Sequence, residues 1–142
     1  MSRTIQVDIV SAEGEIFSGE ASMVFAPAQM GEVGIAPRHA PLLTMLKPGE
    51  VRVQQPEGGE ELFFFVSGGA LEVQPYQVTI LADTALRAKD IDEAAALEAK
   101  QRAEDEIANR EGAMDIARAQ AELAEAVAQL RALERLRKSL KR

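Results

Sequence analysis

Residues 78–96 read VTILADTALRAKDIDEAAA, and within this stretch the chain changes its period. Val78 and Ile80 alternate with Thr79, as in a strand with one buried face, and turn residues follow near Asp83. From Asp90 onward the composition shifts to Ala, Glu, Lys, Arg and Leu, all good helix formers. The break divides the chain into a β-rich part, residues 1–86, and a helical part, residues 87–142.

Working back from the break, the alternation recurs. Ile5, Val7 and Ile9 show it, then Ala21, Met23 and Phe25, Val51 and Val53, and Leu71 and Val73. Leu62 to Val66 is apolar throughout, as in a strand buried on both faces. Turn signals separate these runs at Ala12-Glu13-Gly14, Lys47-Pro48-Gly49, Pro56 to Gly59, Ser67-Gly68-Gly69 and Gln74-Pro75. Many short strands at near-regular spacing predict an antiparallel sandwich or flattened barrel with one modest core.

Working forward, Asp90 is placed to cap a first helix, with Glu93 as its capping-box partner, over about Ile91 to Arg110. Gly112 breaks it, and Asp115 is placed to cap a second helix ending near Leu136. The short break predicts an antiparallel hairpin. Ile91, Ala95, Ala99, Ala103 and Ile107 form one ridge, and Ile116, Ala119, Leu123, Ala126, Leu130 and Leu133 a seam on the second helix. Alanine ridges allow close backbone approach but bury little area, so the hairpin is expected to dock weakly while staying helical when detached.

The 142 residues are 46% hydrophobic and 27% charged, as in globular proteins, and no run approaches the length of a membrane span. The N-terminus lacks the basic start and apolar stretch of a signal peptide. With no cysteine there is no disulfide and no thiolate chemistry, and a net charge of −7 argues against general nucleic-acid binding. The charge is uneven. Residues 1–86 hold four basic and eleven acidic residues, whereas 87–142 hold twelve of each. After Leu130, Arg131, Arg135, Arg137, Lys138, Lys141 and Arg142 face only Glu134.

No catalytic constellation emerges. There is no triad motif, the single histidine His39 excludes His–His metal spacing, and Gly31 to Gly34 matches no phosphate loop. The acid pairs Glu60/Glu61 and Asp105/Glu106 read as solvated surface. His39, between Pro37 and Pro41, reads as either a locally hydrogen-bonded loop residue or an interface residue. The rivals from other classes are an unrelated adaptor and a carboxylate hydrolase; the hydrolase would need two converging acids.

Residues 31–43, GEVGIAPRHAPLL, resemble the GE(L/V)GI-P-HAPL segment of ATP synthase epsilon subunits. Residues 66–73 and 78–83, the N-terminal Val10 to Glu13 with Phe17-Ser18-Gly19, and the C-terminal 121–131 are similar to the family in the same order. The resemblance implies an α+β protein, a ten-stranded β-sandwich followed by a two-helix hairpin. It implies a non-catalytic rotor subunit of the F-type ATP synthase, peripheral on the cytoplasmic face of the bacterial inner membrane and taking part in proton-driven ATP synthesis. Its partners would be the gamma subunit and the c-subunit ring, with no insertion into the membrane. The ring contact is expected at Glu32, Val33, Gly34, Ile35 and His39. Family hairpins either lie on the sandwich or extend toward the alpha and beta subunits and inhibit hydrolysis; Arg131, Arg135, Arg137 and Lys138 would serve that extended form. Some members bind ATP through an I(L)DxxRA motif. Ile91, Asp92 and Ala96 match it, and Arg102 aligns with a downstream arginine, but Ala95 replaces the motif arginine. Weak or absent ATP binding, and no other cofactor, is expected.

Overall fold

A computed structural model describes residues 3–109 and 113–140, with the side chains of 113–115 outside the description. The elements run β1 (Ile5–Ser11), β2 (Gly14–Ala21), β3 (Met23–Ala28), β4 (Gly31–Ile35), β5 (Leu42–Leu46), β6 (Gly49–Gln54), β7 (Glu61–Val66), β8 (Gly69–Gln74), β9 (Gln77–Ala82), β10 (Ala85–Arg87), α1 (Glu93–Asn109) and α2 (Ala113–Leu140). The ten strands and two helices are those of an α+β protein with a β-sandwich and a helical C-terminal part.

The strand order is β10-β7-β6-β3-β5-β8-β9-β1-β2, with β4 added to β3. A single pairing, Ala28 with Leu46, joins β3 to β5. The sheet folds at this narrow bridge into two layers, β10-β7-β6-β3-β4 and β5-β8-β9-β1-β2. Across the gap Phe17 meets Phe64, and Arg87 Nη2 donates to Ile16 O at 3.1 Å. Pairing is antiparallel except between β1 and β9, which run parallel from Gln6/Gln77 to Val10/Leu81. Most of the alternating residues read from the sequence fill the core: Ile5, Val7, Ile9, Ala21, Val51, Val53, Leu71, Val73, Val78 and Ile80 are buried together. On β3 the phase is the opposite of the one read: Val24 and Ala26 face the core, while Met23 and Phe25 are half-buried on the outer face, because β3 starts a new alternation after Ala21. Gly69 is required where β8 meets β9. Its φ is +132°, and a Cβ there would lie 2.0 Å from Leu81 O.

β7 is apolar on both faces for a reason the topology makes plain. Phe64 and Val66 enter the sandwich core, whereas Phe63 and Phe65 form a second cluster with Ala88, Ile91, Ala128, Ala132 and Leu133. The helical hairpin thus lies on the outer face of β6 and β7, chiefly through α2.

The helix details differ from the sequence reading. A 3₁₀ turn spans Ala88–Asp90, so α1 begins two residues later and Asp92 caps it instead of Asp90, accepting from Ala95 N–H at 3.1 Å. The expected ridge holds at Ile91 and Ala103, which are buried, and at Ala99 and Ile107, which are half-buried, but Ala95 is exposed and Ala96 is buried in its place. On α2 the expected seam holds, with Ala119, Ala126 and Leu133 buried and Leu123 and Leu130 half-buried. This helix starts at Ala113, so Asp115 lies inside it, and it ends at Leu140 instead of Leu136. Arg110 and the break assigned to Gly112 lie outside the described residues.

Candidate functional site

β4 is the free edge of its layer and carries the first candidate residues. Glu32 is exposed and accepts from Arg52 Nη2 at 3.0 Å; Arg52 Nη1 lies 3.6 Å from Glu61. The Arg52 guanidinium also stacks on Phe25, 4.2 Å from the ring centroid. Gly34 sits opposite Phe25, where a Cβ would come within 3.2 Å of the ring, so its small size makes room for that stack. Val33 packs half-buried against the core and Ile35 is wholly buried. The Ile35 side chain therefore cannot form part of a surface contact: strand alternation points it inward, which corrects its place among the contact residues.

His39 is not brought to Glu32. It lies in the loop after β4, at the strand's far end, where Arg38 N–H donates to Pro75 O at 2.8 Å. His39 Nδ1 donates to Ala40 O at 2.7 Å, and its N–H donates to Ala36 O at 3.1 Å. Arg38 holds a φ of +66°, uncommon for a side chain of that size. The histidine thus has the local bonds of a loop residue, and the ring candidates divide between two ends of one strand.

The nucleotide candidates separate similarly. Asp92 and Arg102 line one cleft of about 700 Å³ between the helices and β10, together with Asp90, Glu106, Glu122 and Glu125. Ile91 is buried in the second apolar cluster and Ala96 between the helices, so both serve packing. Five carboxylates and one arginine make this cleft unwelcoming to phosphate. Burial first, then Glu122 and Asp83, raises the Glu125 carboxyl above its ordinary range.

The basic end of α2 is largely engaged. Arg135 Nε lies 2.7 Å from Glu50 Oε1, Arg137 pairs with Glu93 at the start of α1, and Lys138 lies 3.3 Å from Glu134. Arg131 lines a cleft of about 600 Å³ between α2 and the sandwich with Glu32, Lys47 and Glu50.

Sequence reasoning missed two features. Glu50 and Arg52 project from the outer face of β6 beneath α2, and Glu61, read as solvated surface, joins them. The signal was the double-faced β7: whatever covers Phe63 and Phe65 must also cover their β6 neighbours. The second feature is an apolar stripe on the other layer. Met45, Ala70, Leu81 and Val10 stand in register across β5, β8, β9 and β1. Met45 is 57% and Leu81 49% exposed, with Leu43 beside them at 75%. No described helix or strand covers this face. The signal was the unbroken apolar character of Leu42-Leu43 and Ile80-Leu81.

Among the described residues no helix is long and apolar enough to cross a membrane, and no acid or histidine cluster could hold a metal ion. A sandwich with one outer face under a helical hairpin and the other crossed by an apolar stripe defines the class: a β-sandwich with a helical arm. Two family profiles match it: the ATP synthase delta/epsilon chain β-sandwich domain over residues 4–88, and the long α-helix domain of the same chain over residues 89–134. The chain belongs to the ATP synthase delta/epsilon family, and within it to the epsilon chains of the F-type enzyme, which are distinct from the catalytic subunit. It is 71% identical to an ATP synthase epsilon chain of Nitrosococcus oceani, over 99% of both chains. It is 70% identical to epsilon chain 1 of Methylococcus capsulatus, over 97% of this chain and 98% of that one. Its fold is shared with a chain in the Euglena gracilis mitochondrial ATP synthase OSCP/F1/c-ring structure (TM-score 0.81, 20% identity, 92% of this chain and 81% of that one).

Proposed function

We propose that the chain is a rotor-stalk subunit that joins the gamma subunit to the c-ring and thereby takes part in proton-driven ATP synthesis. The bare apolar stripe through Met45 and Leu81 carries this reading. Two half-exposed aliphatic residues in register with Val10 and Ala70, on a face that nothing among the described residues covers, suit a permanent protein partner better than water. The stripe is the gamma-facing surface, and the free edge at Glu32 and Gly34 faces the ring, where Glu32 can pair with a basic loop. The protein is peripheral, on the cytoplasmic face of the membrane.

The hairpin is read as a brake. In the docked position its arginines are engaged with Glu50 and Glu93; extended, the same basic end suits an acidic surface on the alpha and beta subunits. ATP binds weakly or not at all, in keeping with the acidic cleft around Arg102. The division into a contact domain, residues 1–86, and a regulatory domain, residues 87–142, belongs to this reading.

Co-purification with the gamma subunit tests the stalk role. The wild-type chain should be retained and the Met45→Glu/Leu81→Glu variant lost, with its sandwich still folded; undiminished retention of that variant would refute the assignment of this face. Hydrolysis by the assembled motor with and without residues 88–142 tests the brake. Truncation should raise the rate.

A further inference from the structure

The outer face of β6 carries an ion cluster that the sandwich core does not need. Val51 and Val53 point into the core, while Glu50 points outward beneath α2 and Arg52 projects from the same outer face toward Glu32 and Glu61. The charged groups around Glu50 come from every element packed there: Lys47 from the turn before β6, Arg52 from β6 itself, Glu32 from β4, Glu61 from β7, and Arg131 and Arg135 from α2. On the sandwich side the Arg52 guanidinium serves two carboxylates, Glu32 and Glu61. The balancing cation nearest Glu50 is Arg135, supplied by the hairpin. The cluster is also under-satisfied. The Glu50 side chain is only 9% exposed, yet among the described residues Oε2 has no hydrogen-bond partner, and neither has Arg52 Nε.

We propose that Glu50 and Arg135 form the latch holding the hairpin on the sandwich, and that Arg52 couples this latch to Glu32, so that a basic partner engaging Glu32 loosens the hairpin. The coupling rests on the reading of Glu32 as a partner-facing residue; the latch does not. A carboxylate buried under α2 is costly unless a cation accompanies it, so docking depends on Arg135 arriving with the helix. When a partner's cation draws Glu32 away, Arg52 loses an acceptor and turns to the free Oε2 of Glu50. Glu50 then has a cation from its own strand, docked or not, and Arg135 contributes less by docking.

Proton linkage gives the latch a direction. Burial raises the Glu50 carboxyl above its ordinary range, against the pull of Arg135 and Arg52. A carboxyl raised in the docked state binds its proton more readily there. Ionisation of Glu50 therefore opposes docking as pH rises through the raised value, and Arg135 offsets part of that cost, so the loss of docking with rising pH should be steeper without Arg135.

The cysteine-free chain permits a direct test. Spin labels at Gln74→Cys and Ala117→Cys, both exposed positions, report the distance between sandwich and α2 in the full chain. Arg135→Ala should raise the released population at least tenfold at neutral pH, and adding Glu50→Gln should restore docking, because no charge then remains buried. Glu32→Gln should raise release several-fold, and the effect should vanish in an Arg52→Met background. An unchanged distance in Arg135→Ala overturns the latch. Persistence of the Glu32→Gln effect without Arg52 overturns the coupling. Thermal unfolding of the sandwich confirms that each variant is folded. These distances are read without gamma or ring, so they stand or fall separately from co-purification.

Discussion

The ring of Phe17 on β2 lies 5.5 Å from that of Phe64 on β7, tilted by 53°, and the contact spans the two layers of the sandwich. Arg87 lies over both rings, 6.0 Å from the first and 5.8 Å from the second, so the last strand before the helices clamps the same point. Tilted pairs at this spacing contribute beyond their burial. Phe64→Ala should destabilise the sandwich by about 3–5 kcal/mol, seen as a lower midpoint in urea. Loss of under about 1 kcal/mol would show that the layers are held elsewhere.

Docking of the arm through small side chains makes a second prediction. Ala132 is fully buried against Phe63 and Phe65. Ala132→Leu has no room to repack without lifting α2, at a cost of about 1–3 kcal/mol. Native-state hydrogen exchange should then show faster exchange in α2 and unchanged protection in β6 and β8. Equal loss in the strands would mean that arm and body unfold as one unit.

Between the helices and the sandwich, Glu125 supplies a pH dependence. Its carboxyl is raised by burial, then by Glu122 and Asp83. The sign follows: hairpin stability is complete below the ordinary carboxylate range and declines as pH climbs through the raised value. Glu125→Gln should make the hairpin more stable at neutral pH and flatten the profile. A thermal scan of helicity at several pH values reads both effects, and an unaltered slope would exclude Glu125 as the source.

The capping role of Asp92 predicts what its loss will do. Asp92→Ala should lower helix stability by about 1 kcal/mol. Isothermal calorimetry with ATP should give no micromolar isotherm for either form, since the cleft sets five carboxylates against Arg102. A tight isotherm abolished by Asp92→Ala would reverse this and make Asp92 a ligand.

Much of the architecture was legible because strand alternation and helix composition are local signals. Val51 and Val53 point inward as their spacing required, and the change of period near Asp83 separates strands from helices. The parallel pairing of β1 with β9 was not legible, since alternation says which face is buried and nothing about the direction of a neighbour. The cap shifted from Asp90 to Asp92 because a 3₁₀ turn intervenes, and one position of the ridge passes from Ala95 to Ala96. Around the candidate site, the sequence singled out the segment that holds Glu32 but gave no sign of Glu50. An acid after a Pro-Gly turn reads as solvated until a helix from 85 residues later lies on it.

The parallel pair between β1 and β9 also bears on how the molecule is made. The first strand waits for its second neighbour until residue 81 has left the ribosome, so the layer cannot close early. Once β9 and β10 are in place, every sandwich strand is present while the arm is still being synthesised. The arm can therefore emerge onto a platform whose strands are already paired, and nascent chains halted once the last strand has cleared the ribosome should already resist protease.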